Sequence, residues 1–324
     1  MHSIIQLKPE SYSRHLIHGA DRRWAETNCY MDVLIELIHS LGFEPIAALP
    51  ITISVDFEFD QWTFFKFSHQ DLLNLYGMEI QELNPWQDLA MHVQEQVENG
   101  RPVLVELDSF YLPDTAGSAY KIANVKSTVA VNEIDIEARH MGYFHGQGYY
   151  HLDGDDFEQV FQLDGKAHRR ILPPYIELVK LRSKPGDLSA EETLRLSLDS
   201  LRRQLSILPV NNPFLSFRTR FESDLEWLKD EPIERFHDYS FATLRQYGAC
   251  YELVETYIRW LIDSGEEDLQ GGSDAFARIS STAKTFQFKL ARSLARKKPL
   301  NLDPLSEMAE DWQLGTEILT DKYL

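Results

Sequence analysis

The amino-acid sequence predicts an α+β domain with an antiparallel sheet over residues 1–184, followed by an all-α helical bundle over 185–324. Three observations carry that expectation. An amphipathic run headed by Cys29 opens the first half. Short β-prone segments bounded by turn residues fill the stretch from 102 to 152. Beyond Lys184-Pro185-Gly186 the apolar residues follow a helical period almost throughout.

Taken in order, apolar residues at 30, 33, 34, 37, 38 and 41 mark one face of a helix. Thr27 or Asn28 is a suitable N-cap, and Gly42 stands where helices end. A strand-rich stretch follows over 51–67, with five phenylalanines and Trp62. Phe59, Trp62, Phe64 and Phe65 are expected to share the core or a pocket wall between them. Ser68 caps a short helix ending at Gly77, and Pro85 opens another that runs to Gly100. A short apolar strand covers 102–108, and the loop Asp114-Thr115-Ala116-Gly117 comes after it. Three further β-segments lie at about 125–134, 140–145 and 147–152, with Gly146 and Gly148 supplying turn chemistry. Gly154-Asp155-Asp156 then caps a short helix through Phe161. In the second half, Ser189 and Glu192 form a capping box for a helix reaching about 207. Further helices are expected at about 213–229, 238–263, 274–297 and 303–320.

Composition narrows the function. A net charge of -19 argues against nucleic-acid binding and against adhesion to an anionic membrane. No apolar run approaches a membrane span, and the first residues lack the order of a signal peptide. Two cysteines, 29 and 250, cannot build a disulfide framework, so a cytoplasmic setting is expected. Cys29 falls in a first helical turn, where free backbone N–H groups and the helix dipole favour a thiolate. It reads either as a nucleophile or as a small buried residue. Cys250 sits in a stripe with Tyr247, Tyr251, Val254, Ile258 and Leu261 and reads as core. No metal site is expected. His15 and His18 lack a third ligand and read as a surface pair, and His145 and His151 only straddle a tight turn. No P-loop, dinucleotide fingerprint or nucleophile elbow is present.

The order of elements, a cysteine-headed helix and then an antiparallel sheet bearing polar residues, is that of the papain-like cysteine-peptidase fold. The stretch Gly100-Arg101-Pro102-Val103-Leu104 through Asp108-Ser109-Phe110-Tyr111-Leu112-Pro113 resembles the central strand and loop of the butirosin biosynthesis protein H family. A related bacterial family is more similar still. Its motifs match here at Glu26 to Asp32, Asp60 to Lys66, Asp108 to Gly117 and Gly142 to Tyr150, with Gly146 where that family has Asn. The segments Phe236-His237-Asp238-Tyr239 and Arg245-Gln246-Tyr247-Gly248-Ala249 resemble it too.

That resemblance implies a papain-like, thiol-dependent acyltransferase. Cys29 would take an acyl or aminoacyl group from a phosphopantetheinyl carrier-protein thioester and pass it to an amine. The alternatives are a thioesterase or amidase of the same fold, and a non-catalytic module that binds an acylated carrier protein. No cofactor is expected beyond the phosphopantetheine that presents the substrate. The related enzymes keep a histidine in the strand after the Tyr-Leu-Pro loop, whereas here that stretch, 123–129, has none. His145 is therefore the candidate base, expected on the cleft side, bonded to the thiolate or orienting a group from 124–127. Asn124 and Lys126 complete the candidate set, Asn124 as the partner that fixes the imidazole tautomer. His145 also reads as a structural histidine at a hairpin. Lys289 and Arg292, about a turn apart, are the candidate docking point for an acidic carrier protein.

Overall fold

The computed structural model describes residues 2–163 and 174–324. The chain divides into two compact units, each assembled from separate stretches. The first comprises Met1–His18, Asn28–Pro45 and His69–Leu188. The second comprises Gly19–Thr27, Ile46–Ser68 and Ser189–Leu324.

The first unit holds a seven-stranded sheet in which every pairing is antiparallel. Its elements run β1 (His2–Ser3), α1 (Cys29–Ser40), α2 (His69–Tyr76), β2 (Met78–Glu82), α3 (Leu89–Glu98), β3 (Val103–Asp108), β4 (Lys126–Asp135), β5 (His140–His145), β6 (Gly148–Asp153), α4 (Gly154–Val160) and β7 (Ile176–Leu181). The strand order is β2-β7-β3-β4-β5-β6, and β1 pairs with the far end of β4. Alternate residues of a strand face opposite sides, so the register assigns each side chain to a face. Val103, Val105, Val129, Val131 and Tyr143 share one face and pack with Ala90, Val93 and Val97 of α3 and Phe157 of α4. Phe144 lies on the other face, edge-on to Tyr12 with ring centroids 5.9 Å apart. Tyr12 in turn donates to Glu36 of α1. The hairpin joining β5 and β6 closes through Gly146 and Gln147, because His145 pairs with Gly148. Gly146 takes φ 49°, which a glycine at the first central position of such a turn adopts without strain.

Helix α1 departs from the simple amphipathic picture. Every residue from Tyr30 to Ile38 is buried, including Asp32 and Glu36. His18 answers both carboxylates, with Nδ1 on Glu36 and Nε2 3.2 Å from Asp32 Oδ1. Burial alone would lower the His18 pKa, but the two carboxylates outweigh it and raise it to about 9. His15 and His18 are thus buried, not a surface pair, because the chain folds them under α1 against its acidic residues.

The second unit carries α5 (Ala190–Ser206), α6 (Pro213–Leu228), α7 (Ile233–Ser240), α8 (Gln246–Asp263), α9 (Gln270–Arg296) and α10 (Asp303–Tyr323). The Ser189–Glu192 capping box forms as expected. The helix expected at 238–263 is interrupted by a π-helical turn over Phe241–Arg245. The larger difference concerns 51–67. Instead of a strand-rich part of the sheet domain, 46–68 belongs to the helical unit as a 3₁₀ helix, Pro45–Ser54, and a hairpin of Phe57–Glu58 with Gln61–Trp62. The hairpin inserts aromatic rings among helices: Trp62 lies 5.1 Å from Phe214 and 4.9 Å from Tyr247. Trp62 and Phe65 are buried, whereas Phe59 and Phe64 are exposed, at 89% and 55%. No described helix is long and apolar enough to cross a membrane.

Candidate functional site

Cys29 is the first residue of α1. Asn28 before it is extended, and its side chain accepts from the Met31 backbone N–H at 2.9 Å. That cap satisfies one of the free donors of the first turn. The thiol is half-buried, and its hydrogen-bond partner is Thr128 on β4, at 3.6 Å between Sγ and Oγ1. Tyr30, the next residue, donates to Glu177 of β7 at 2.9 Å and ties the helix start to the sheet.

His145 belongs to a different constellation. Its Nδ1 lies 2.5 Å from Asp114 Oδ2, and its Nε2 lies 2.6 Å from Ser127 Oγ. An ionised carboxylate only accepts, so Nδ1 carries the proton, and Nε2 accepts the Ser127 hydroxyl. Asp114 sits on the 3₁₀ turn Pro113–Thr115, held by Thr115 Oγ1 donating to the carbonyls of Ser109 and Leu112. Tyr143 donates to the other Asp114 oxygen at 2.5 Å. Burial first, and then the Asp114 charge, push the Tyr143 pKa well up, so the phenol keeps its proton and stays a donor. The Asp114 and His145 side chains are at least nine-tenths buried, and Ser127 is half-buried. A carboxylate orients an imidazole whose other nitrogen receives a hydroxyl: this is the arrangement of a general base with an alcohol to deprotonate.

The register keeps the two groups apart. Ser127 and Thr128 are successive residues of β4 and face opposite sides of the sheet. Val131 pairs with Tyr143 and Ala130 with Phe144, so His145 shares the Ser127 side and Phe144 shares the Thr128 side. Of the two arrangements expected for His145, a bond to the thiolate is not the one found: Cys29 pairs with Thr128, while His145 bonds a group from 124–127, the Ser127 hydroxyl. Phe144, not His145, occupies the face that Cys29 meets. Asn124 does not set the tautomer of His145 either. It donates to Asp108 at 2.6 Å, and Lys126 donates to Glu106 at 2.6 Å. Both short contacts hold the mouth of β3 and β4, where a cavity of about 760 Å³ opens. Its lining includes Trp86, Glu106, Asp108, Asn124, Lys126 and Tyr175. Leu107, which pairs with Ser127 in the register, and Lys126, its chain neighbour, also line the cavity.

Two groups lie outside what sequence reasoning found. Asp114 stands inside the longest matched motif, yet nothing in its spacing ties it to His145; the fold alone brings them together across 31 residues. Among the described residues, Glu133, His140 and His151 also converge with ligand atoms within 4.8 Å of one another. Lys289 and Arg292 are both exposed on α9.

An antiparallel α+β sheet unit with a polar relay at the mouth of its central strands, and a separate helical unit, define the class. The chain belongs to the DUF1839 family: residues 13–181 match the DUF1839 N-terminal domain and residues 190–321 match the DUF1839 C-terminal domain. No curated protein matches the chain.

Proposed function

We propose that this protein is an acyl-transfer enzyme in which His145, oriented by Asp114, activates the Ser127 hydroxyl. The hydrogen-bonded relay from Asp114 through His145 to Ser127 is the observation that carries the reading. The Ser127 proton passes to His145 Nε2 while Oγ attacks the carbonyl of an acyl thioester. The C–S bond then breaks, and the imidazolium returns the proton to the departing thiolate. An amine, or water, releases the acyl group from Ser127 by the same path in reverse. The donor, on the resemblance given above, is a phosphopantetheinyl carrier-protein thioester, docked at Lys289 and Arg292. The cavity lined by Lys126 and Leu107, the chain neighbour and the register partner of Ser127, is of a size to take a pantetheine arm or an acyl chain. A papain-like origin of the sheet domain, with its helix led by Cys29, belongs to the same proposal.

A second reading keeps Cys29 as the acyl acceptor, and its place at the capped N-terminus of α1 favours it. Intact-mass measurement after mixing with an aminoacylated carrier protein separates the two. The first reading predicts a covalent acyl adduct that persists in Cys29→Ser and vanishes in Ser127→Ala and His145→Gln. An adduct lost in Cys29→Ser and kept in Ser127→Ala establishes the second. Binding of the carrier protein with neither adduct nor turnover makes the chain a carrier-binding module.

A further inference from the structure

We propose that Glu133, His140 and His151 form a binding site for a divalent first-row transition metal ion. The sheet register builds the site. Glu133 pairs with Gly142, and Gly142 pairs with His151, so these three form one row across β4, β5 and β6. Antiparallel partners directly opposite one another project to the same face, and His140, two residues from Gly142, joins them there. Gly142 keeps the row open for a neighbour: a Cβ at that position would lie 2.1 Å from the Tyr149 hydroxyl. The Tyr149 hydroxyl leans over it and donates to Glu133 Oε2 at 3.4 Å.

The donor atoms are those a metal takes. His140 Nε2 and His151 Nε2 are both buried, and no group among the described residues hydrogen-bonds either of them. A buried imidazole nitrogen left without a partner is uncommon and calls for a ligand. His140 Nδ1 lies 2.6 Å from Asp153 Oδ1, which places the proton on Nδ1 and the lone pair on Nε2. A carboxylate behind a ligating histidine is the usual support of a metal-bound imidazole. His140 Nε2 stands 3.4 Å from Glu133 Oε1. Two ligands of one tetrahedral zinc, at bonds of about 2.0–2.1 Å, are separated by about 3.3 Å. The widest of the three spacings, within 4.8 Å, closes by rotation of an imidazole about its χ angles. Two imidazoles and one carboxylate suit zinc, cobalt or iron(II), with a remaining position for water.

The test uses the full chain, stripped with a chelator and then titrated with Co(II) and Zn(II). The proposal predicts one ion per chain at micromolar free metal, visible d–d absorption from bound Co(II), and a higher melting temperature in Zn(II). His140→Gln and His151→Gln should each abolish the Co(II) spectrum, Asp153→Asn should weaken binding about 10- to 100-fold, and the exposed His237→Gln should change nothing. A stripped wild-type chain with no Co(II) absorption and no shift in melting temperature overturns the proposal without any variant. Full binding retained in both histidine variants overturns it as well, since the ion then sits elsewhere.

Discussion

At the scale of single residues, His145 and His18 in the sheet unit are bound to buried carboxylates in opposite ways. His145 uses Asp114 to present a bare Nε2 to Ser127. His18 spends both nitrogens on Glu36 and Asp32 and is held charged, with its pKa raised to about 9. On the proposed function the first transfers a proton, while the second holds two buried acids in place. A histidine whose folded-state pKa lies above its unfolded value of about 6.5 binds its proton more tightly when folded. Its stabilising effect is therefore complete below about pH 6.5 and is lost as pH rises through about 9. An NMR titration should find the His18 ring still protonated at pH 8, with thermal stability declining between pH 6.5 and 9. A His18 midpoint near 6.5 would contradict the buried pairing.

At the scale of elements, local chemistry was readable wherever a turn or cap left a residue signature. The α1 start at Asn28-Cys29, the β5–β6 hairpin at Gly146 and the Ser189–Glu192 box all carry such signatures. Faces were harder. One residue of register exchanges the two sides of a strand, so a sequence that places β4 and β5 correctly still leaves open whether His145 or Phe144 meets α1. The stretch 51–67 departs from expectation for a related reason: its aromatic and β-branched content suggests strands, but Trp62 packs among helices. Helix α8 shows the same dominance of packing over propensity. Gly248 lies in the first turn of α8, directly after the π-helical turn Phe241–Arg245 and so inside a continuous helical run, where alanine is ordinarily better by about 1 kcal/mol. A Cβ there would stand 2.3 Å from the ring of Trp24, which is buried and donates to Ser280 Oγ at 3.1 Å. Gly248→Ala should therefore destabilise, by roughly 1–3 kcal/mol of overpacking, and lower the melting temperature. A stabilised variant would mean that the Trp24 contact is loose.

At the scale of the whole molecule, the two family domains meet near residue 185, while the compact units do not follow that cut. Segments 19–27 and 46–68 are contributed from the first half to the helical unit. The onset of helical periodicity beyond Lys184-Pro185-Gly186 is readable in the sequence, whereas the contributed segments could be assigned only from tertiary contacts. A fragment of residues 185–324 lacks Trp62 and Phe57, which pack on Phe214, Phe217 and Tyr247. It should melt without a cooperative transition, while the full chain unfolds cooperatively. A sharp transition for the fragment would show that the aromatic hairpin is dispensable. Across the entire chain, the central claim is that one serine among many is activated, and a fluorophosphonate probe with peptide mapping tests it most directly. Oγ attack on phosphorus with loss of fluoride should label Ser127 alone at neutral pH, and both His145→Gln and Asp114→Asn should suppress that labelling. An unlabelled Ser127 in the folded wild-type protein, or labelling that survives His145→Gln, would contradict the account.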